Sequence, residues 1–378
     1  MFLRFIVPLV GLSAALTGCN APNDRTTTAP AATEAAPLVA RPGTPQTKVM
    51  PAEWSGTYEG TIGGRYAVRV QLRQEADTLW RGQYYYLSQG KLLALRGRRQ
   101  PDGQLLLRES GSAEARLTGV FRLQLAANGT LGGTWQDAGR RAPLPVQLRR
   151  SDGSQPRLCQ LQLTERTYFD EYAVPVVRVA DAGVTRRLRQ RFAIETVAEL
   201  SLAELKEEHD NLGADYPQGY HDLHYEVGYR DNCLLSLTFR SESVGANVNT
   251  TYEDVTVDLV TGFELDILGE IAPERQQAFL TEGDRRLHQQ IRGYIRDEGG
   301  VDAESAAGLN AQVFAPESMF IRGDTVQLHH NVEFEELSNF EWKNYNHQFF
   351  AAFSAAELLP YLRPDSPLRR LARPTARR

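Results

Sequence analysis

Short runs of alternating apolar and polar side chains fill the chain from residue 54 to residue 149. The run Arg65–Arg73 shows the pattern clearly, and a period of two is typical of a β-strand with one solvated face. Turn-forming pairs such as Gly63-Gly64 and Asn128-Gly129 separate the runs. The pattern predicts eight strands, at Trp54–Ile62, Arg65–Arg73, Leu79–Leu87, Lys91–Arg98, Gln104–Glu109, Arg116–Ala126, Gly129–Gln136 and Leu144–Arg149.

Eight antiparallel strands with tight connections favour an up-and-down barrel over an open sandwich. A closed barrel has no free edges, and one of this size has room for side chains or one small ligand. The aromatic run Tyr84-Tyr85-Tyr86 is interpreted as strand residues that alternate between core and solvent, with stacking on carbohydrate as the alternative. Part of the barrel segment also resembles lipocalin-type barrels, through the spacing of Trp54, Gly56, Tyr58, Gly60, Gly132, Gly133 and Trp135.

The net charge changes sign along the chain. Residues 51–157 carry +7, residues 158–362 carry −19 and the tail 363–378 carries +5, whereas the whole chain of 378 residues carries −5. Turn formers between Ser151 and Pro156 stand where the sign changes, so they predict a boundary between a barrel domain and a second domain over 158–362. The overall balance excludes a globally basic nucleic-acid binder. The arginines of the first domain could hold an anionic glycan or phospholipid surface, form a solvated face, or dock on the acidic domain.

The second domain mixes helical and strand-like patterns. Thr185–Asn211 and Pro273–Asp297 carry apolar residues at helical spacing and predict two long helices, and a short helix is expected over Ala355–Leu362. Because helices follow runs of neighbouring strands, the pattern favours an α+β fold with two long helices on an antiparallel sheet. The predicted strands are Tyr220–Tyr229, Cys233–Ser241, Tyr252–Leu259, Met319–Ile321, Val326–His330 and His347–Phe353.

The first nineteen residues have the pattern of a signal peptide. A positive start at Met1–Arg4 precedes the apolar run Phe5–Ala15, which is too short for the roughly 20 residues that span a bilayer core of about 30 Å. The string Leu16-Thr-Gly-Cys19 resembles the lipobox of bacterial lipoproteins, which implies cleavage before Cys19 and attachment of a diacylglyceryl group to its thiol. An ordinary secretory signal is the alternative.

Residues 20–50 are rich in Ala, Thr and Pro and nearly free of large apolar side chains, so they predict a disordered tether. With the lipobox, this segment predicts a protein that is anchored to a bacterial membrane by its lipid and faces the periplasm or the exterior.

A series of short motifs spans about half of the chain, from near Leu161 to Leu362. The motifs are Cys233–Phe239, Val257–Gly262, Leu265–Leu268, Met319–Asp324, Val326–His329, His347–Phe353 and Glu357–Leu362. Their order resembles the extracytoplasmic domain of unknown function shared by the anti-sigma factor RsiV and the non-catalytic part of the peptidoglycan deacetylase PdaC.

Two segments depart from that family. Val244–Val248 lacks the histidine that the family often has before its Thr-Gly turn, and Phe340–Tyr345 fits only in part. The resemblance implies a sensing or binding module. In RsiV the ligand is lysozyme, a strongly basic protein, and a domain of net charge −19 would attract such a partner at long range.

Candidate catalytic and metal-binding residues are few. His221 and His224 lie three apart, and His329 and His330 are adjacent, so each pair is expected to diverge on a strand. No spacing motif completes a ligand set, and we predict neither a metal nor a cofactor. The sequence lacks a nucleophile elbow, a phosphate-binding loop, a dinucleotide fingerprint and the deacetylase signature of PdaC.

One acidic cluster contains Glu333, Glu335, Glu336 and Glu341. It is interpreted as a solvated acidic surface that could bind a ligand. A pair of its carboxylates could instead serve glycoside hydrolysis, where the separation and the unequal pKa values of two carboxyl groups matter.

Two cysteines and the tail complete the expectations. If Cys19 is lipidated, Cys159 and Cys233 remain, and in an oxidising envelope they are expected to pair, with two free buried thiols as the alternative.

The Arg-rich tail is expected to fray, although contact with anionic lipid or with the acidic domain is an alternative.

These observations predict a membrane-anchored lipoprotein of the cell envelope that binds or senses a ligand without catalysis. The ligand is expected to be a basic protein such as lysozyme, or cell-wall glycan. The alternatives are a cell-wall glycan hydrolase that uses the acidic cluster, and a structural envelope scaffold. No enzymatic activity and no nucleic-acid partner are expected.

Overall fold

A computed structural model describes residues 54–75, 78–111, 116–126, 128–139, 142–154, 159–211, 219–245, 247–298, 301–333 and 345–372. They belong to one compact unit, residues 49–378. The predicted signal peptide, Cys19 and the tether lie outside the described residues.

The predicted barrel is confirmed. Its eight antiparallel strands begin and end within two residues of the predicted bounds, and the first strand pairs with both the second and the eighth, so the barrel is closed. The strands are β1 (Gly56–Ile62), β2 (Tyr66–Gln74), β3 (Leu79–Tyr86), β4 (Leu92–Arg99), β5 (Leu105–Ser110), β6 (Leu117–Leu125), β7 (Thr130–Asp137) and β8 (Leu144–Ser151).

Side chains from alternate strand positions pack inside the barrel as one hydrophobic cluster. One acid lies among them: Glu109 accepts hydrogen bonds of 2.6 Å from both the Tyr84 hydroxyl and the Trp135 indole N–H, and one of 2.7 Å from Thr118. A buried carboxylate needs such donors, because it has lost its hydration. The aromatic run therefore contributes Tyr84 to the core, as predicted.

Seven α-helices are described after the barrel. The predicted helix over Thr185–Asn211 is wrong as a single element, because Phe192 ends the first helix and Glu199 adopts a φ of +56°, which no helix continues. The second predicted long helix is confirmed, since a 3₁₀ turn at Pro273–Arg275 leads into α5. The helices are α1 (Ala182–Arg191), α2 (Ile194–Val197), α3 (Leu202–Asn211), α4 (Ile267–Glu270), α5 (Gln276–Glu298), α6 (Ala303–Asn310) and α7 (Ala355–Leu358). None of these described helices is both long and apolar enough to cross a membrane.

The second part contains two sheets rather than one. A five-stranded sheet has the order β13-β12-β11-β10-β9, and a three-stranded sheet has the order β14-β15-β16. The expectation of a fully antiparallel sheet is wrong at one place, where β10 meets β11 in parallel at Tyr172 and Leu223. The strands are β9 (Gln162–Tyr168), β10 (Tyr172–Arg178), β11 (Gly219–Tyr229), β12 (Leu234–Val244), β13 (Val248–Asp258), β14 (Ser318–Arg322), β15 (Thr325–His329) and β16 (Phe350–Ser354).

The five-stranded sheet lies between two layers. On one face, Leu235, Leu237 and Val255 pack with the apolar side of α1. On the other face, the hydroxyls of Ser236 and Thr256 lie 2.7 Å apart, and each bonds to the backbone of β14. The three-stranded sheet and α5 share the second core. The chain is thus an all-β barrel followed by an α+β part, as predicted.

The barrel docks on the α+β part through charged and aromatic side chains. The side chain of Arg69, 7% exposed, pairs with Asp181 at 2.7 Å, and Arg73 pairs with Asp266. Tyr85 points away from the barrel interior, but its hydroxyl donates to the Thr261 carbonyl at 2.6 Å. Of the three alternatives for the barrel arginines, docking on the acidic domain is observed here. The expectation that Tyr85 faces solvent is wrong for the same reason.

Burial and charge set the protonation states at this contact. Burial raises the pKa of Tyr85 to about 12. Burial alone would raise the pKa of the Asp181 carboxyl, but the N–H of Val184 and the Arg69 guanidinium outweigh it and hold that pKa below its usual range. At neutral pH, Tyr85 is therefore an uncharged phenol and Asp181 a negatively charged carboxylate where the two parts meet.

The predicted fraying of the tail is wrong for residues 363–372. Pro367–Ala372 forms a 3₁₀ helix, and its Leu368 and Leu371 join the core that α5 and the three-stranded sheet share. The guanidinium of Arg370, 2% exposed, pairs with Asp258. Because a buried acid neutralises this arginine and two leucines supply apolar contacts, the segment packs despite its positive charge. Residues 373–378 lie outside the described residues.

Candidate functional site

A cleft of about 680 Å³ opens where the barrel meets the α+β part. Its barrel wall is formed by the outward face of β2 and β3, including Gln71 and Gln83, whose side chains are hydrogen-bonded to each other at 2.7 Å. Its other wall is formed by β13, the start of β14 and the region of α4, with Thr256 and Ser318 among the lining residues. The volume lies in the range of ordinary ligand sites. A ligand here would contact both parts of the chain.

The cleft carries more acids than bases. Three ion pairs neutralise part of the charge, since Arg81 pairs with Glu75 at 2.6 Å, Arg73 pairs with Asp266, and Arg191 of α1 pairs with Glu264. Glu317 accepts a hydrogen bond from the Asn331 side chain, which leaves its negative charge in place. The charged lining residues are Glu75, Asp254, Glu264, Asp266, Glu317, Arg73 and Arg81. The excess of carboxylates makes the cleft suited to a cationic group.

A cluster of one aspartate and two histidines lies at the β13 wall of this cleft. The side chain of Asp254, 0% exposed, is contacted by His329 at the end of β15 and by His347 just before β16. His347 Nε2 lies 3.0 Å from Asp254 Oδ2, and His329 Nδ1 is hydrogen-bonded to the same oxygen. The three ligand-type atoms all lie within 4.8 Å of one another. Three different elements thus converge on one carboxylate.

Further donors hold the Asp254 carboxylate in place. Thr238 Oγ1 donates to Oδ1 at 2.6 Å, and Ser318 Oγ donates to Oδ2 at 2.7 Å. Burial alone would raise the pKa of this carboxyl, but the hydrogen bonds from His329 and His347 outweigh burial and hold the pKa well below its usual range. The carboxylate is therefore ionised throughout the neutral range.

The predicted disulfide is confirmed. Cys159 and Cys233 are bonded at 2.02 Å, with their Cα atoms 5.5 Å apart. Cys233 lies directly before β12 and Cys159 three residues before the edge strand β9, so the bond ties the chain that enters the edge of the five-stranded sheet to the start of β12. Free thiols at these two positions are excluded by this geometry.

The acidic cluster lies mostly outside the described residues, which include Glu333 but not Glu335, Glu336 or Glu341. Glu333 is exposed, and its backbone N–H and carbonyl are hydrogen-bonded to the Gln312 side chain. Cys19 also lies outside the described part. The structure therefore places Glu333 on the surface. The acidic surface formed by the other three glutamates stays a prediction.

His329 and His330 diverge as predicted. His330 turns away from His329, and its ring bonds to Gln312 and to the backbone of Ala315. His224 pairs with Asp222 at 2.9 Å on β11. Neither His221 nor His224 joins a group of three ligand-type side chains within the described residues.

The sequence analysis missed the cluster that does form. It weighed His329 against its neighbour His330 and did not consider Asp254 or His347. Asp254 is separated from His329 by 75 positions and from His347 by 93, so no spacing motif joins them. Only the packing of the three-stranded sheet against the five-stranded sheet brings them together.

Two solved structures of the DUF3298 family are similar to part of this chain. A protein from Pseudomonas aeruginosa PAO1 has 14% identity and a TM-score of 0.36, and the match covers 56% of this chain and 97% of that one. A protein from Bacteroides fragilis NCTC 9343 has 11% identity and a TM-score of 0.38, with 58% and 99% covered. No family model matches the sequence, and no curated protein matches it.

Proposed function

We propose that this protein is a lipid-anchored, non-catalytic binding protein of the bacterial envelope whose cleft takes a cationic segment of another macromolecule. The observation that carries the proposal is the 680 Å³ cleft with five carboxyl-bearing residues and two arginines in its lining. Both arginines are already paired with acids of the cleft, and Arg191 of α1 pairs with a third acid, Glu264. Among the described residues, the Glu317 carboxylate pairs with neither an arginine nor a histidine, so a basic side chain that enters meets uncompensated negative charge there.

The charge distribution of the chain supports the same ligand class. The acidic part, residues 158–362, carries −19, and such a charge raises the rate at which a basic partner is encountered. The basic barrel uses Arg69 and Arg73 for contacts with the acidic part. A basic protein such as lysozyme suits this surface better than a neutral glycan, because a glycan gains nothing from the net charge.

The first prediction concerns binding to the cleft. We expect the full-length protein, purified in detergent, to bind hen lysozyme at low ionic strength, and the double variant Glu75→Gln/Glu317→Gln to bind it about tenfold more weakly. Both substitutions remove a negative charge from the cleft while they keep the shape of the side chain. The dissociation constant is measured by surface plasmon resonance at two salt concentrations, and the difference should shrink at high salt.

A matched control distinguishes the effect of the cleft carboxylates from the effect of the total charge of the protein. Glu195→Gln/Glu207→Gln removes the same charge from exposed positions on α2 and α3, outside the cleft, and should change the affinity less than twofold. Equal weakening by both pairs, or no binding of lysozyme at all, would refute the cleft proposal. Release of sugar fragments from purified cell wall by the same preparation would instead favour the hydrolase alternative.

The second prediction concerns the membrane anchor. The leader Met1–Cys19 supports lipid attachment, so the mature protein should begin at Cys19 and carry the mass of a diacylglyceryl group and its acyl chains. Mass spectrometry of the N-terminal peptide measures this directly. Cys19→Ser should abolish the added mass, and an unmodified Cys19 in the mature wild-type protein would remove the anchor from the proposal.

A further inference from the structure

We propose that Asp254, His329 and His347 bind a divalent first-row transition metal, with Zn²⁺ as the ion used to test it. The three side chains bring one carboxylate oxygen and two imidazole nitrogens to one point where β13, β15 and the residues before β16 meet. Imidazole and carboxylate are donors that suit Zn²⁺, Ni²⁺, Cu²⁺ and Fe²⁺. Asp254 also lines the cleft, but metal binding here does not require that the cleft bind the cationic segment proposed above.

The spacing of the donor atoms is close to what a metal requires. A tetrahedral ion at the usual 2.0–2.1 Å from each ligand separates neighbouring ligand atoms by about 3.3 Å. His347 Nε2 and Asp254 Oδ2 are 3.0 Å apart, and all three donor atoms lie within 4.8 Å. His329 Nδ1 lies closer to Asp254 Oδ2 than this separation, so the ring of His329 would have to move outward for an ion to enter.

The surroundings hold the ligands in position, as outer contacts do at metal sites. Thr238 Oγ1 donates to the Asp254 oxygen that does not contact the histidines, at 2.6 Å. Ser318 Oγ donates to Oδ2 at 2.7 Å. The ring of His347 stacks on Tyr252 with 4.6 Å between centroids, and that of His329 packs against the edge of Phe350.

The charges also favour a cation at this point. The rings of His329 and His347 lie with their centroids 3.7 Å apart, so one ion can contact both. A metal uses the lone pair of each neutral imidazole and at the same time compensates the buried carboxylate. One ion thus binds all three side chains at once. Without the ion, the two rings share hydrogen bonds to a single carboxylate oxygen.

The position of the site suggests what the ion does. Asp254 belongs to the five-stranded sheet and His329 to the three-stranded sheet, so a shared ion would cross-link the two. The side chain of His347 is 20% exposed, which gives the ion a path from solvent and leaves room for a fourth, exchangeable ligand. Asp254 and Ser318 also line the cleft, so the cross-link would stiffen one of its walls.

The experiment measures Zn²⁺ binding to the full-length protein. The protein carries no histidine tag, is stripped with a chelator and is titrated with Zn²⁺ in competition with a chromophoric indicator. We expect one equivalent to bind, His347→Gln to weaken the affinity by at least about 100-fold, and Ser318→Ala to weaken it by about tenfold, the range typical of outer contacts. Co²⁺ should give the visible absorption bands of a four-coordinate ion in the wild type and lose them in His347→Gln.

The control variant is His224→Gln, which removes an exposed histidine that also lies beside an aspartate. It should bind Zn²⁺ like the wild type. His347 is chosen because its ring is partly exposed, and circular dichroism verifies that the variant is folded. Thermal denaturation is a second measurement, because Zn²⁺ should raise the melting temperature of the wild type but not that of His347→Gln. The absence of one-equivalent binding, or equal binding by His347→Gln and the wild type, would overturn the proposal.

Discussion

Replacing Arg370 by alanine is expected to lower the free energy of unfolding by about 3–5 kcal/mol. The Arg370 guanidinium pairs with Asp258 at 2.5 Å, and the side chains of both residues are almost completely buried. Arg370 also donates to the Cys233 carbonyl at 3.3 Å. The variant leaves the Asp258 carboxylate inside the protein with no cation beside it, and an uncompensated buried charge is far more costly than the loss of a surface pair.

Urea denaturation followed by circular dichroism measures this loss. The control is Arg296→Ala, which breaks the exposed pair with Asp297 and should change the stability by no more than about 0.5 kcal/mol. The double variant Arg370→Met/Asp258→Asn removes both charges and should recover part of the stability that the single variant loses. If Arg370→Ala were as stable as Arg296→Ala, the observed packing of the tail would be wrong.

Breaking the disulfide is expected to cost about 4 kcal/mol of unfolding free energy. The bond between Cys159 and Cys233 closes a loop with a sequence separation of 74, and loop closure restricts the unfolded chain by about this amount. The variant Cys159→Ala/Cys233→Ala should therefore unfold at a markedly lower urea concentration than the wild type. Comparison of the two urea transitions measures the difference.

A reductant provides the control for this prediction. It should destabilise the wild type and leave the Cys159→Ala/Cys233→Ala variant unchanged, since that variant has no bond to reduce. Titration of the unreduced protein with a thiol reagent should find no reaction at either position. Two reactive thiols in the untreated protein would contradict the bond.

The barrel could be predicted from the sequence because its signal is local. In a run such as Arg65–Arg73 the alternation of side chains directly reports which face is buried, and each turn pair marks the end of a strand. The sequence did not predict what the barrel arginines contact, because the charge of a side chain does not identify its partner. Nothing in the sequence near Arg69 indicates that Asp181, 112 positions later, is its partner.

The helical region shows where a local pattern misleads. Apolar residues continue at helical spacing from Leu188 to Leu205, although the chain turns twice between them. One signal was present: Ser201 and Glu204 form reciprocal side-chain-to-backbone hydrogen bonds, and this Ser-x-x-Glu pattern marks a helix start. The end of α1 at Phe192 has no comparable signature in the sequence.

Two strands, β9 and β10, were not predicted. Pro175 interrupts the apolar run of β10, and proline is unfavourable inside a sheet because it lacks an N–H. It is tolerated here because β10 pairs with β11 only at Tyr172, so the side of β10 that would require the missing donor is open at Pro175. The cluster at Asp254 could not be predicted for a related reason, since it depends on the way one sheet lies over another.

The packed segment 363–372 makes the last part of the chain indispensable to what precedes it. Asp365 pairs with Arg150 of the barrel at 2.7 Å, while Arg370 reaches Asp258 of the α+β part. Synthesis proceeds from the N-terminus, so the ribosome releases this segment only after the sixteen described strands have been made. A polypeptide that stopped just after Leu362 would therefore contain all of these strands but lack the side chains of Leu368, Arg370 and Leu371 that fill the space beside them.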